Sequence, residues 1–152
     1  MTYRLIIFLI INFAALAIGG LFTNKGVSSE WYLRIAKAPW TPPGWVFGAA
    51  WTTIMICFSI YMAYLWPSVE NKSLLVALYV FQWVLNVGWN PIFFYYQNVL
   101  AGLMIITALT LLILFTLFYY WSALNLKSIL IAPYLTWLLI ATSLNGYIYL
   151  KN

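Results

Sequence analysis

Gln82, Asn86, Trp89 and Phe93 stand four, three and four residues apart in one apolar stretch, and so fall along one face of a helix. Side-chain amides within lipid are costly unless they meet protein, water or a ligand. Two arrangements meet that demand: hydrogen bonds that tie helices together, or the wall of a cavity. Two amides sharing a face with two large rings favour the wall. Pro133, Trp137, Ala141 and Leu144 repeat at four, four and three residues in another stretch. Trp137 is too far from the ends of its stretch for an interfacial belt. Ala141 leaves room beside it, although packing around a small residue would give the same pattern. Trp51 fits either belt or cavity wall, whereas Trp45, Trp66 and Trp121 lie at stretch ends and fit the belt. Ala15 and Gly19, four apart, read as a helix-packing face.

Between the first two apolar stretches lies the longest polar segment, residues 24–43, with Lys25, Glu30, Arg34 and Lys37. Pro39, Pro42 and Pro43 stop any helix there, and Pro43 suits the first turn of the next one. With Trp31, Tyr32 and Trp40, this segment could form a lid over a cavity. Arg34 and Lys37 would then pair with carboxylates on a flat apolar ligand. A solvated loop whose cations meet lipid phosphates fits equally well.

Much chemistry is excluded. The chain has no histidine, so His-ligated metals and histidine acid–base catalysis are absent. Glu30 and Glu70 are its only acidic residues and both fall in expected loops, which disfavours carboxylate pairs and a membrane proton relay. No metal site and no required cofactor are expected. Cys57, the single cysteine, reads as a small buried hydrophobe.

The elements that must position these residues are membrane helices. The chain has 152 residues, 66% hydrophobic and 6% charged, with mean hydropathy +0.95. That is far too little charge to coat a water-facing surface. A soluble domain, a disordered chain and a nucleic-acid-binding module are excluded, and the lipid bilayer is the expected surrounding. The net charge of +5 comes from basic residues placed singly near the ends of apolar stretches, where they anchor in headgroups. About 20 apolar residues cross a bilayer. The sequence predicts an all-α integral membrane protein: one domain over 1–152, with five helices over about 5–23, 44–66, 74–96, 99–121 and 128–150. The first stretch is too long for a signal peptide and is expected to be retained. Pro67 closes the second, Asn90-Pro91 crosses the third, and Pro133 lies in the first turns of the fifth. Three basic residues (Arg4, Lys72, Lys127) fall on one side and four (Lys25, Arg34, Lys37, Lys151) on the other, which leaves orientation open.

Three blocks give the chain a family likeness. The first is Trp31-Tyr32, then Trp40-Thr41-Pro42-Pro43-Gly44-Trp45-Val46-Phe47-Gly48 and Trp51-Thr52. The second runs from Leu85 to Phe94 and reads LNVGWNPIFF. The third is Pro133-Tyr134-Leu135-Thr136-Trp137, continuing into Ala141-Thr142-Ser143-Leu144-Asn145. In order and spacing, over essentially the whole chain, they resemble the TspO/MBR family of tryptophan-rich sensory proteins and translocator proteins (peripheral-type benzodiazepine receptors). The resemblance implies a five-helix bundle whose ligand cavity lies near the loop between the first two membrane helices. It implies binding of porphyrins such as protoporphyrin IX and of benzodiazepine-type ligands. Carried over by motif position, the ligand-binding residues are Trp51, Asn86, Trp89, Phe93, Trp137, Ala141 and Leu144, with Trp31 and Pro42 in the lid. Gly48, within the first block, and Gln82 join them as candidates. Some bacterial members are reported to degrade protoporphyrin in light through two tryptophans, which correspond to Trp51 and Trp137.

The chain departs from the family at Lys37-Ala38-Pro39-Trp40, where proline more often follows the lysine directly. Its third helix also lacks the small-residue face that pairs some bacterial members, which leaves a homodimer open. The favoured function is a membrane receptor, sensor or carrier, with a bacterial cell membrane as the expected location. A light-dependent porphyrin-degrading enzyme and a porphyrin or sterol transporter are the alternatives. Leu144, Tyr147 and Lys151 fit a short pattern proposed for sterol contact, which a helix end with Tyr and Lys also produces without a sterol.

Overall fold

In lipid every backbone polar group must find a partner within the chain, and helices achieve this one segment at a time. The computed structural model describes residues 1–152 and contains helices and no strands. The helices are α1 (Thr2–Val27), α2 (Glu30–Arg34), α3 (Gly44–Ser68), α4 (Lys72–Asn90), α5 (Val99–Tyr119), α6 (Trp121–Leu124) and α7 (Ala132–Lys151). A π-helical turn, Pro91–Tyr95, extends α4, and a 3₁₀ segment, Asn125–Ile131, leads into α7. Five spans are long and apolar enough to cross a membrane: Thr2–Val27, Gly44–Ser68, Lys72–Tyr95, Val99–Tyr119 and Trp121–Lys151. The protein is a multi-pass integral membrane protein.

Neighbour contacts close these spans into a ring. α1 packs on α3, α3 on α7, α7 on α5, α5 on α4, and α4 returns to α1. Large apolar side chains such as Ile10, Val80, Leu111 and Leu139 are exposed on its outside, where lipid is the solvent. With lipid as apolar as leucine, helices associate through close packing and buried hydrogen bonds. One such junction joins three helices. Asn12 of α1 donates from Nδ2 to Ser59 Oγ of α3 at 2.8 Å and accepts from Tyr79 Oη of α4 at 2.7 Å. A second joins α4 to α7, where Tyr134 Oη donates to Gln82 Oε1 at 3.0 Å.

Local sequence explains where helices start and stop, and corrects several expected boundaries. α1 runs to Val27, past the expected end at residue 23. Ser29 joins α1 to α2: its hydroxyl donates to the Gly26 carbonyl at 2.6 Å and accepts from the Tyr32 amide at 3.2 Å. The polar segment therefore contains a helical turn rather than only extended chain. Pro43 caps α3 from outside instead of occupying its first turn, and Pro67 lies inside the last turn, which continues to Ser68. Pro91 has no N–H to offer the Val87 carbonyl, and the helix widens into its π-turn there. Asn90 Nδ2 stands in, 3.4 Å from the Val87 oxygen and 3.0 Å from that of Asn86. Residues 128–131, expected to open the fifth helix, are 3₁₀, and α7 begins at Ala132 with Pro133 in its first turn. Cys57 is half-buried in mid-α3 rather than fully buried.

Candidate ligand cavity

The helix ring encloses a cavity of about 540 Å³ beneath the α1–α3 connection. Concave sites for small molecules usually measure about 300–1,000 Å³. Its aromatic walls come from Phe47 and Trp51 of α3, Trp89 and Phe93 at the end of α4, and Trp137 of α7. These rings are held from behind. Trp89 stacks on Phe93 with centroids 5.0 Å apart and planes 12° apart. Trp89 Nε1 donates to Asn145 Oδ1 of α7 at 3.1 Å, and Asn145 Nδ2 donates to the Val99 carbonyl at 3.2 Å. Trp137 meets Phe47 edge-on at 5.2 Å, and Trp51 meets Tyr134 edge-on at 6.0 Å. Ala15, Gly19, Gly20, Gly48 and Ala141 supply the small surfaces that leave the space open.

Polar side chains are a minority of the lining. Asn86 lines the cavity at 8% exposure, and no hydrogen bond within the protein occupies its side-chain amide. Asn90 also lines it but is engaged, accepting from Thr23 Oγ1 of α1 at 2.7 Å. Lys37 is the only charged residue in the lining, and it comes from the lid together with Tyr32, Thr41 and Pro42. Its ammonium lies 4.7 Å from the centre of the Tyr32 ring. Burial pushes the Tyr32 phenol above its ordinary range. No three His, Cys, Asp or Glu side chains come together anywhere in the fold.

The structure separates the residues singled out from sequence. Pro42, Gly48, Trp51, Asn86, Trp89, Phe93, Trp137, Ala141, Leu144 and Lys37 all line the cavity. Trp31, Gln82 and Arg34 do not. Trp31 packs edge-on against Phe93 at 5.5 Å, behind the wall. Gln82 is buried against Tyr134, so this amide ties helices. Arg34 pairs with Glu30 at 3.0 Å on the outer face of α2, both side chains being mostly exposed. Ala15 and Gly19, read as a packing face, border the cavity as well. Phe47, Asn90 and Asn145 line the cavity beside the residues that sequence singles out. Phe47 stands four residues before Trp51, and two further amides within apolar stretches carried the same signal as Asn86.

The lid is fastened to α7 at two points. Asn152 Oδ1 accepts from the Ala36 amide at 2.8 Å, and its Nδ2 donates back to the Ala36 carbonyl at 3.1 Å. Trp40 Nε1 donates to Ser143 Oγ at 3.1 Å, and its ring meets Tyr147 edge-on at 5.4 Å. The tyrosine of the sterol-type pattern is thus part of the lid's seat. Asn152→Ala is expected to speed hydrogen exchange at the Ala36 amide about tenfold, the scale of one lost bond of ~1.4 kcal/mol. Exchange there at the unmodified rate would show that the amide pair does not hold the lid.

A closed ring of five membrane helices surrounds an aromatic, lidded cavity, which defines a five-helix membrane-protein fold in which no His, Cys, Asp or Glu side chains cluster. Comparison with known sequences gives its family: a sequence model of the TspO/MBR family matches residues 7–150, and the chain belongs to that family. It is 39% identical over 143 residues to the tryptophan-rich protein TspO of Archaeoglobus fulgidus, covering 91% of this chain and 92% of that one. It is 30% identical over 145 residues to protein CrtK of Rhodobacter capsulatus, covering 93% and 91%. With the human translocator protein it shares 28% identity over 139 residues, covering 89% and 82%. Family membership supports a membrane sensor or receptor role.

Proposed function

We propose that the protein is a membrane receptor or sensor for flat, largely apolar ring systems that carry a carboxylate, with porphyrins such as protoporphyrin IX as the principal class. Benzodiazepine-type ligands fit the same aromatic walls without using the charge. The observation that carries this reading is one cation, Lys37, at the lid of an otherwise uncharged cavity walled by Trp51, Trp89, Phe93 and Trp137. Indole and phenyl faces suit a planar macrocycle. An ammonium suits a propionate. The free amide of Asn86 offers both a donor and an acceptor to ring or side-chain polar atoms.

The test is a protoporphyrin IX titration of the protein in lipid nanodiscs, followed by tryptophan quenching. Saturable binding is expected, weakened about tenfold by Lys37→Ala, the scale of one charge-assisted hydrogen bond. Arg34→Ala should change little, because that guanidinium faces outward to Glu30. Quenching that never saturates would mean that porphyrin only partitions into lipid, and saturable quenching equal in both variants would remove the role given to Lys37.

One observation favours a second reading, light-dependent porphyrin degradation. Trp51 and Trp137 line the same cavity from α3 and α7, where an indole could give an electron to a photoexcited porphyrin. The porphyrin would then carry the difficult chemistry. Trp51→Phe and Trp137→Phe should each abolish light-dependent loss of porphyrin absorbance while leaving dark binding measurable. Unchanged photobleaching in both variants would remove the role assigned to them.

A further inference from the structure

A second concavity lies at the opposite end of the bundle, between the beginnings of α1 and α4 and the end of α3. It measures about 490 Å³, and Arg4 is the only charged residue among its ten lining residues. We propose that it is a binding site for one anionic phospholipid, with an acyl chain in the groove and the phosphate on Arg4.

The groove is built by fixed side chains. Phe8 lies between Trp66 at 6.2 Å and Tyr79 at 5.3 Å. Tyr79 is anchored by its hydroxyl to Asn12 at 2.7 Å, and Trp83 Nε1 donates to the Ile11 carbonyl at 3.1 Å. These contacts hold the rings apart, so the cleft exists before any lipid enters. Its axial extent matches one leaflet. The α1 residues that line it run from Tyr3 to Ile11. From Arg4 to Ile11 the helix rises about 10 Å, within the roughly 15 Å of hydrocarbon in half a bilayer. Arg4 therefore sits at the headgroup end and Ile11 toward the midplane.

Charge selects the headgroup. The same end of the bundle carries Arg4, Lys72 and Lys127 against Glu70 alone. Lys72 is engaged by the Trp66 and Val69 carbonyls, and Lys127 lies over the Tyr64 ring at 4.3 Å. Arg4 has no carboxylate partner; its Nε donates to Tyr3 Oη at 3.2 Å and its Cζ lies 5.4 Å from the centre of the Tyr3 ring, which leaves the two terminal amino groups of the guanidinium without a hydrogen bond. A guanidinium fork matches phosphate oxygens. Three cations against one carboxylate make this end net positive, so a headgroup with net negative charge is preferred over zwitterionic phosphocholine.

The test uses nanodiscs doped with equal mole fractions of chain-brominated phosphatidylglycerol or chain-brominated phosphatidylcholine, with tryptophan quenching as readout, since Trp66 and Trp83 line the groove. Quenching by the anionic lipid is expected at about fivefold lower mole fraction, the preference that one cation gives at an anionic surface. Arg4→Gln should abolish that preference and Lys127→Gln should keep it. Val80→Phe, which fills the groove and leaves every charge in place, should reduce quenching by both lipids. Equal quenching by the two lipids in the unmodified protein, or loss of preference in Lys127→Gln as large as in Arg4→Gln, would overturn the site in favour of unselective surrounding lipid.

Discussion

Gly26→Ala is expected to destabilise the protein by about 3 kcal/mol, the upper end of ordinary overpacking, and to lower its thermal midpoint in detergent by about 6–12 °C. Gly26 is buried in the last turn of α1, where the π-turn after α4 crosses it. A methyl group there would sit 2.2 Å from Phe94 Cδ1, 2.3 Å from Cγ and 2.5 Å from Cβ. Swinging the side chain about its Cα–Cβ bond relieves the first two contacts. It cannot relieve the third, because Cβ is fixed by the backbone. The two helices must therefore separate, and with them the Ser29 hydroxyl that joins α1 to α2 and the Trp31–Phe93 contact behind the cavity wall. A second substitution checks the mechanism. Phe94→Ala removes the ring and leaves Cβ, so it should recover little of the loss in the Gly26→Ala background, whereas Phe94→Gly should recover more. An unchanged midpoint in Gly26→Ala would show that the close approach of these backbones is not needed.

The fold was legible because its signals are long and repeated. Five apolar stretches of membrane-spanning length give the number and order of the spans, although the fifth, expected from residue 128, begins at Trp121. Helix ends were less legible because hydrogen bonds decide them. α1 continues to Val27, where Ser29 bonds back to Gly26, and Pro67 sits within the final turn of α3, which runs on one residue to Ser68. The site was legible as a list of polar and aromatic residues on helix faces, but periodicity does not say which neighbour a face meets. Gln82 and Asn86 lie on the same stripe one turn apart. The Tyr134 hydroxyl reaches Gln82 and leaves Asn86 free, so one amide ties helices and the other faces the cavity. Arg34 and Lys37 are three residues apart in the lid, and α2 turns the first outward to Glu30 while the second lines the cavity. Such choices rest on contacts between segments distant in sequence, which spacing within one segment does not encode.

Gly48→Phe should have the opposite profile to Gly26→Ala: an intact fold, and porphyrin affinity reduced about 100-fold, equivalent to ~2.7 kcal/mol. Gly48 is on α3, three residues before Trp51 and on the same face, and it borders the cavity. A Cβ at this position meets no atom within 4 Å, so the backbone tolerates a side chain that Gly26 would refuse. Replacing glycine by phenylalanine within a helix also favours the helix by a few tenths of a kcal/mol, roughly 0.3–0.5, so the thermal midpoint should hold. A phenyl ring at this point enters the space between Trp51 and the lid that a macrocycle would need. The loss should exceed that of Lys37→Ala, which removes one charge and leaves the volume. It should extend to uncharged benzodiazepine-type ligands, on which Lys37→Ala has little effect. If Gly48→Phe keeps its fold and still binds protoporphyrin IX at the unmodified affinity, the ligand lies elsewhere, and the aromatic walls of this cavity hold the bundle together rather than a macrocycle.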